Sequence, residues 1–263
     1  MSTRRIVVVS DFHCGHRAGL TPPDWQYART VDDYDRQRFG HEQRLMWDWY
    51  AEQAKALAPV SVLIVNGDAI DGKGGKSGGS EQLESDRTKQ VEMAAECVEV
   101  WDAKTIVMTY GTMYHTGHEE DFEAVLAGAV NAKKIGSHEW VSVNGCVFDC
   151  KHKVGRSVIP HGRHTAPARE ALWNALWAEV GVEPRGRVFI RSHVHYFTFA
   201  GDETQLVITT PALQGFGSKY GSRESSGKVH VGLIHFDVDS NGGYVWQPHL
   251  LDLRGLAPQT IKL

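Results

Sequence analysis

The chain has 263 residues, 41% of them hydrophobic and 23% charged, the balance of a folded globular protein rather than a disordered or fibrous one. Lysine and arginine number 28 against 32 aspartates and glutamates, a formal charge of −4, which excludes a global basic field holding nucleic acid by phosphate neutralisation alone. No apolar run approaches the roughly 20 residues of a membrane span, and Ile6 to Val9 is too short an apolar core for a signal peptide, so a cytoplasmic address and no membrane partner are expected.

The predicted elements alternate along the first half. Ile6-Val7-Val8-Val9, Val60-Ser61-Val62-Leu63-Ile64-Val65 and Thr105-Ile106-Val107-Met108 are apolar on both faces, which predicts buried parallel strands. Helices are predicted at about Arg36 to Leu57, Glu81 to Trp101 and Glu119 to Asn131, an α/β layered pattern. The Gly/Ser-rich stretch Gly72 to Ser80 reads either as a lid or as a solvated loop. Beyond residue 140 come short strands at Val141 to Val143, Cys146 to Cys150, Arg187 to Arg191, Leu206 to Thr210, Val229 to Asp237 and Tyr244 to Gln247. They are predicted to form a second, mixed sheet, covered by one helix near Ala166 to Val180. In that helix Trp173 and Trp177 are four residues apart and are expected to face the core. No linker divides the chain, so one domain over residues 1–263 is expected. Cys14, Cys97, Cys146 and Cys150 have neither CxxC spacing nor disulfide density and are expected to be reduced.

The 14 histidines are the compositional oddity, and several sit at strand ends. The first run ends in Ser10-Asp11-Phe12-His13, the second in Asn66-Gly67-Asp68-Ala69-Ile70-Asp71, and the third in Tyr110-Gly111-Thr112-Met113-Tyr114-His115. Later runs end in Asp149-Cys150-Lys151-His152 and Arg191-Ser192-His193-Val194-His195. In α/β sheets ligands gather at the carboxyl ends of strands, so these clusters are expected to converge on one crevice. Alternate residues of an extended segment share a side, which lets Asp11 and His13, and likewise His193 and His195, each offer two ligands to one pocket. Imidazoles mixed with carboxylates suit Zn, Mn or Fe more than Ca or Mg. Two such ions about 3.5–4 Å apart activate water and neutralise both oxygens of a phosphoryl transfer. Read singly, Asp11 and Asp68 are also plausible helix N-caps, and a lone strand-end histidine is more often structural than a ligand.

At these residues the chain resembles the calcineurin-like metallophosphoesterase superfamily, whose signature runs Asp-x-His, Gly-Asp-x-x-Asp, Gly-Asn-His-Asp/Glu, a lone His, and Gly-His-x-His. Asp11-Phe12-His13 and Gly67-Asp68-Ala69-Ile70-Asp71 match the first two elements, His152 the lone His, and Ser192-His193-Val194-His195 the last with Ser for Gly. The resemblance implies a four-layer α-β-β-α sandwich of two mixed sheets flanked by helices. It implies that Asp11, His13 and His195 bind one metal, that His152 and His193 bind the other, and that Asp68 bridges them. The third element departs from the pattern: the strand end reads Gly111-Thr112-Met113-Tyr114-His115-Thr116-Gly117-His118-Glu119, as in phage-type members. Either His115 takes the metal-binding or leaving-group role of the missing Asn-His, or His118 supplies the acid; His115 lies nearer the strand end. Asp71 reads as a residue that orients the catalytic groups.

The resemblance further implies a hydrolase with two divalent transition metals, Mn2+ first with Fe, Zn or Ni as alternatives, in the cytoplasm of a bacterial or phage-infected cell. It would be a phosphodiesterase that attacks a nucleotide or short nucleic acid with a dinuclear-metal-bound hydroxide. The alternatives are a phosphomonoesterase or protein phosphatase, and a noncatalytic scaffold of the same fold. For the substrate phosphate the sequence offers His16 and the cationic loop carrying His161, Arg163, His164 and Arg169; each is otherwise a surface residue.

Overall fold

A computed structural model describes residues 2–29, 32–116, 121–217 and 228–256. In chain order the first half contains β1 (Arg4–Val9), α1 (Tyr34–Ala56), β2 (Val62–Asn66), α2 (Arg87–Glu99), β3 (Ile106–Thr109), α3 (Met113–Thr116), α4 (Phe122–Ala129) and β4 (Lys134–Gly136). There follow β5 (Glu139–Val143), β6 (Cys146–Cys150), α5 (Thr165–Glu179), β7 (Val188–Arg191), β8 (Thr198–Gly201), β9 (Leu206–Thr209), β10 (Gly232–Val238) and β11 (Tyr244–Leu250). Asp33 and Asp86 cap α1 and α2 by accepting from Arg36 and Thr88 N–H, which explains why α2 starts well after Glu81.

Two mixed sheets stack face to face, the first in the order β11-β10-β1-β2-β3-β4 and the second β5-β6-β7-β9-β8. Strands β1 to β4 are parallel, as the two-sided apolar runs of β1, β2 and β3 predict. On β1 the alternation divides the core: Val7 and Val9 face α1, α2 and α4, whereas Ile6 and Val8 meet Phe148, Val188, Ile190 and Ile208 between the sheets. Helix α5 covers the far side of the second sheet, packing Ala171 on Phe189 and Val207. The layers are therefore α-β-β-α, the arrangement that the resemblance implies.

Two expectations need correction. Strands β10 and β11 do not extend the second sheet; β10 runs antiparallel to β1 and completes the first. Strand order is set by long-range pairing, which local pattern does not encode. Trp173 and Trp177 are 53% and 47% exposed rather than core residues. The Gly72 to Ser80 stretch is anchored at its start, where the Gly72 carbonyl accepts from the side-chain amides of Gln82 and Gln90. Among the described residues no helix is long and apolar enough to cross a membrane.

Candidate metal centre

Asp11, Asp68, His152, His193 and His195 all follow the carboxyl ends of strands, the first two from the first sheet and the three imidazoles from the second. Backbone bonds zip the two acidic loops together: Asp11 N–H donates to Gly67 O at 2.9 Å, His13 N–H to Asp68 O at 3.1 Å and Cys14 N–H to Ala69 O at 3.0 Å. Ser192 N–H donates to His152 O at 2.7 Å, tying the two histidine loops of the second sheet. Beneath the loops runs a buried hydroxyl chain. Ser10 and Ser192 each lie 2.8 Å from Thr210 Oγ1, and Asn66 Nδ2 donates to Ser192 Oγ at 2.6 Å while its Oδ1 accepts from Thr109 at 2.9 Å. This explains the serine where the family pattern has glycine: its hydroxyl joins the two sheets under the site.

The side chains do not converge through strand alternation. Asp11, His13, Asp68, His193 and His195 have φ of 53°, 46°, 52°, 72° and 56°, left-handed backbone past the strand ends. Non-glycine residues held there in concert mark a site whose surroundings enforce the geometry. As a result His193 and His195 separate. Asp11, His13 and His195 form one cluster of converging ligand atoms; Asp68, His152 and His193 form another; His13, Asp71 and His115 form a third. The clusters abut, since Asp11 Oδ1 is 3.2 Å from His195 Nε2 and 4.0 Å from His152 Nε2. Gly67 makes room for this closeness: a Cβ there would lie 2.6 Å from His152 Nδ1.

Asp11 Oδ1, His13 Nδ1 and His152 Nε2 are buried without a hydrogen-bond partner, although His152 Nε2 is 3.0 Å from Asp68 Oδ2. His13 Nε2 and His195 Nε2 face one another at 3.3 Å. Among the described residues no lysine or arginine pairs with Asp11 or Asp68. Buried ligand atoms left unpaired and aimed at each other, drawn from carboxylates and imidazoles, fit divalent transition metals. Burial opposes ionisation of Asp11, yet the His195 and His152 charges overcome it and hold the carboxyl at about 2. Burial likewise opposes Asp68, and His152 with His193 holds it well below the usual range. The reciprocal effect carries His152 to about 10, Asp68 and Asp11 outweighing burial. Burial, with the nearby His115, pulls His13 down to about 4, so this ring is neutral and ready to ligate.

Among the other predicted residues, Asp71 is buried with Oδ1 3.7 Å from both His13 Nδ1 and His115 Nδ1. His115 stands against the His13 ring, with its Nδ1 2.8 Å from Asp71 O, and clusters with His13 and Asp71 rather than with His152 and His193. Thr112 N–H donates to Asp68 Oδ1 at 2.7 Å. His118 lies outside the described residues. His16 is buried rather than on the surface, its Nδ1 accepting from Ala18 N–H at 3.0 Å. Arg163 stacks over the Tyr196 ring at 4.3 Å, one residue from His195, and His164 bonds Thr198 Oγ1 at 2.7 Å. Arg169 is exposed on α5, with no side-chain partner among the described residues.

Sequence reading misses Glu123. From α4 its buried carboxylate accepts from Ala69 N–H at 2.8 Å and Gly111 N–H at 2.6 Å, bracing the loops on either side of Asp68. Burial and the Asp68 charge push this carboxyl up to about 8. The available signal is an acid at the spacing of Leu126 and Ala127, on the buried stripe of its helix.

No protein-family model matches this chain, and no curated protein does. Solved structures are similar in fold. Vps29 from Entamoeba histolytica, complexed with Zn2+, is 12% identical with a TM-score of 0.44, over 94% of this chain and 98% of that one. An archaeal phosphodiesterase is 13% identical with a TM-score of 0.44, over 93% and 99%. A predicted phosphoesterase from Streptococcus pneumoniae is 10% identical with a TM-score of 0.39, over 95% and 99%. Likenesses this remote bear on neither the chemistry nor the ligand set of this chain, which rest on its own side chains.

Proposed function

We propose that this chain is a metal-dependent phosphoesterase, a phosphodiesterase acting on a nucleotide or short nucleic acid. Asp11, His13 and His195 would hold one divalent transition ion, and Asp68, His152 and His193 a second. The observation that carries the reading is the set of buried ligand atoms on Asp11, His13 and His152 that lack hydrogen-bond partners, in a site where, among the described residues, every ion-pairing partner of Asp11 and Asp68 is an imidazole. Such ions, when bound, lower the pKa of a coordinated water and neutralise the attacking and leaving oxygens.

The remaining work falls to the chain. The carbonyl of Asp71 accepts from His115 Nδ1, which leaves Nε2 as the atom that exchanges a proton with the leaving oxygen. That nitrogen cannot both ligate and transfer a proton, and we assign the transfer. Thr112 N–H steadies Asp68 Oδ1, so Oδ2 remains the freer ligand. To Arg163, which stacks over Tyr196 beside His195, we assign the charge growing on the phosphoryl oxygens. The net charge of −4 fits a small substrate better than a long nucleic acid track.

Asp68→Asn is expected to lower Mn2+-dependent hydrolysis of bis(p-nitrophenyl) phosphate by at least about 100-fold. Undiminished turnover would overturn the assignment. Elemental analysis of the wild-type chain sorts the alternatives: bound transition metal supports the enzyme, whereas a metal-free, inactive chain would be a scaffold.

A further inference from the structure

Helix α5 is amphipathic in the inverted sense. The side laid on the second sheet consists of Pro167, Ala171 and Asn174. The opposite side presents Leu172, Trp173, Leu176, Trp177 and, at the C-terminal cap, Val180, all exposed. Their spacings of three and four place them on one stripe. Single exposed apolar side chains need no explanation, but a contiguous stripe of this kind does.

The area and the charges both indicate what covers it. A tryptophan carries up to about 250 Å², so two half-exposed rings with three aliphatic neighbours present on the order of 500 Å². Two such stripes face to face would bury about 1,000 Å², the size at which specific association begins. Arg169 lies at the start of the stripe and Glu179 at its end, both exposed and without a side-chain partner among the described residues. A second α5 laid antiparallel, about a two-fold axis level with Asn174, brings each Arg169 to the partner's Glu179 and each Leu172 opposite the partner's Leu176. A parallel arrangement would set like charges together. We infer that this face joins two copies of the chain through an isologous, antiparallel pairing of α5.

Sedimentation equilibrium on the full chain tests this. At tens of micromolar the wild type is expected at twice the chain mass and Trp177→Glu at the chain mass, with circular dichroism and melting showing the variant folded. Arg169→Glu is expected to weaken the dimer about tenfold at low salt, and Arg169→Glu combined with Glu179→Arg to restore it. A monomeric wild type, or a Trp177→Glu variant that dimerises as well as wild type, overturns the pairing. A monomer that instead floats with anionic phospholipid vesicles overturns it too and gives the face to a membrane. Failure of the double charge exchange to restore the dimer overturns the antiparallel arrangement.

Discussion

The two outer layers of the sandwich treat their sheets in opposite ways. On the first sheet, α1, α2 and α4 bury Met46, Tyr50, Met93, Cys97 and Leu126 in one cluster with Trp101. On the second, α5 meets Phe189 and Val207 through Ala171 and turns its leucines and tryptophans outward. Both covers contain large apolar residues at helical spacing, so the contrast is one of direction rather than composition. It also divides the candidate site. Both carboxylates proposed to ligate, Asp11 and Asp68, stand on loops of the heavily covered sheet, whereas His152, His193 and His195 come from the lightly covered one. The buried negative charge, the costlier component to hold in place, is seated on the better-braced half.

The contrast breaks most sharply at two tryptophans. Trp101 is buried, its indole N–H donating to Tyr50 Oη at 2.6 Å and its ring edge-on to that of Tyr50 at 5.5 Å. Trp101→Ala is expected to cost about 3–5 kcal/mol in urea unfolding. Trp177→Ala, measured at concentrations dilute enough to keep chains apart, is expected to stay within about 0.5 kcal/mol of wild type. Equal costs would mean that α5 is buried in the isolated chain, and the contrast between the covers would collapse.

A comparable effect is expected at Glu123, where the heavy cover reaches the site. Glu123→Ala removes the acceptor of two buried N–H groups, at about 1–3 kcal/mol for each donor left unpaired. It also frees the Gly67–Asp68 and Gly111–Thr112 turns to drift, so Mn2+ affinity by titration calorimetry is expected to fall about 10–100-fold, as for other residues that orient ligands. Glu123→Gln can satisfy only one of the two donors and should fall between. Stability lost with metal affinity intact would confine Glu123 to holding the fold.

The strand ends were legible because β-branched runs announce buried strands and each runs into an acid or an imidazole, as at Val9 before Ser10-Asp11 and Ile190 before Arg191-Ser192-His193. How the side chains meet was not, because left-handed turns at Asp11, His13 and Asp68, and not pleat alternation, aim them. Periodicity identified the Trp173 and Trp177 stripe correctly and its direction wrongly, since spacing tells which residues share a face and not what lies against it. The edge strands β4 and β8 escaped notice because Lys-Ile-Gly and Thr-Phe-Ala-Gly carry no β-branched run. The seating of β10 beside β1 depends on pairing across more than two hundred residues of chain.

The smallest expected effect probes the heavy cover's other buried acid. Glu42 on α1 is buried, with Oε1 accepting from Phe216 N–H at 2.6 Å. Burial raises its carboxyl from the usual 4.5 to about 7, the Phe216 N–H and the Arg38 charge offsetting only part of that rise. Between these values the folded chain keeps a proton that the unfolded chain has lost. The contribution of Glu42 to stability is therefore complete below about pH 4.5 and is lost as the pH rises through about 7. Glu42→Gln retains an acceptor for Phe216 N–H and cannot ionise. It is expected to match wild type near the acid end of that window and to exceed it by about 1–2 kcal/mol on the alkaline side, where wild type must either bury the carboxylate charge or let water in to solvate it. Urea melts on both sides of the window measure the difference. An advantage for Gln that did not grow with pH would mean that the Glu42 charge is already solvated, and that the cover over the first sheet is looser at this end than its packing elsewhere implies.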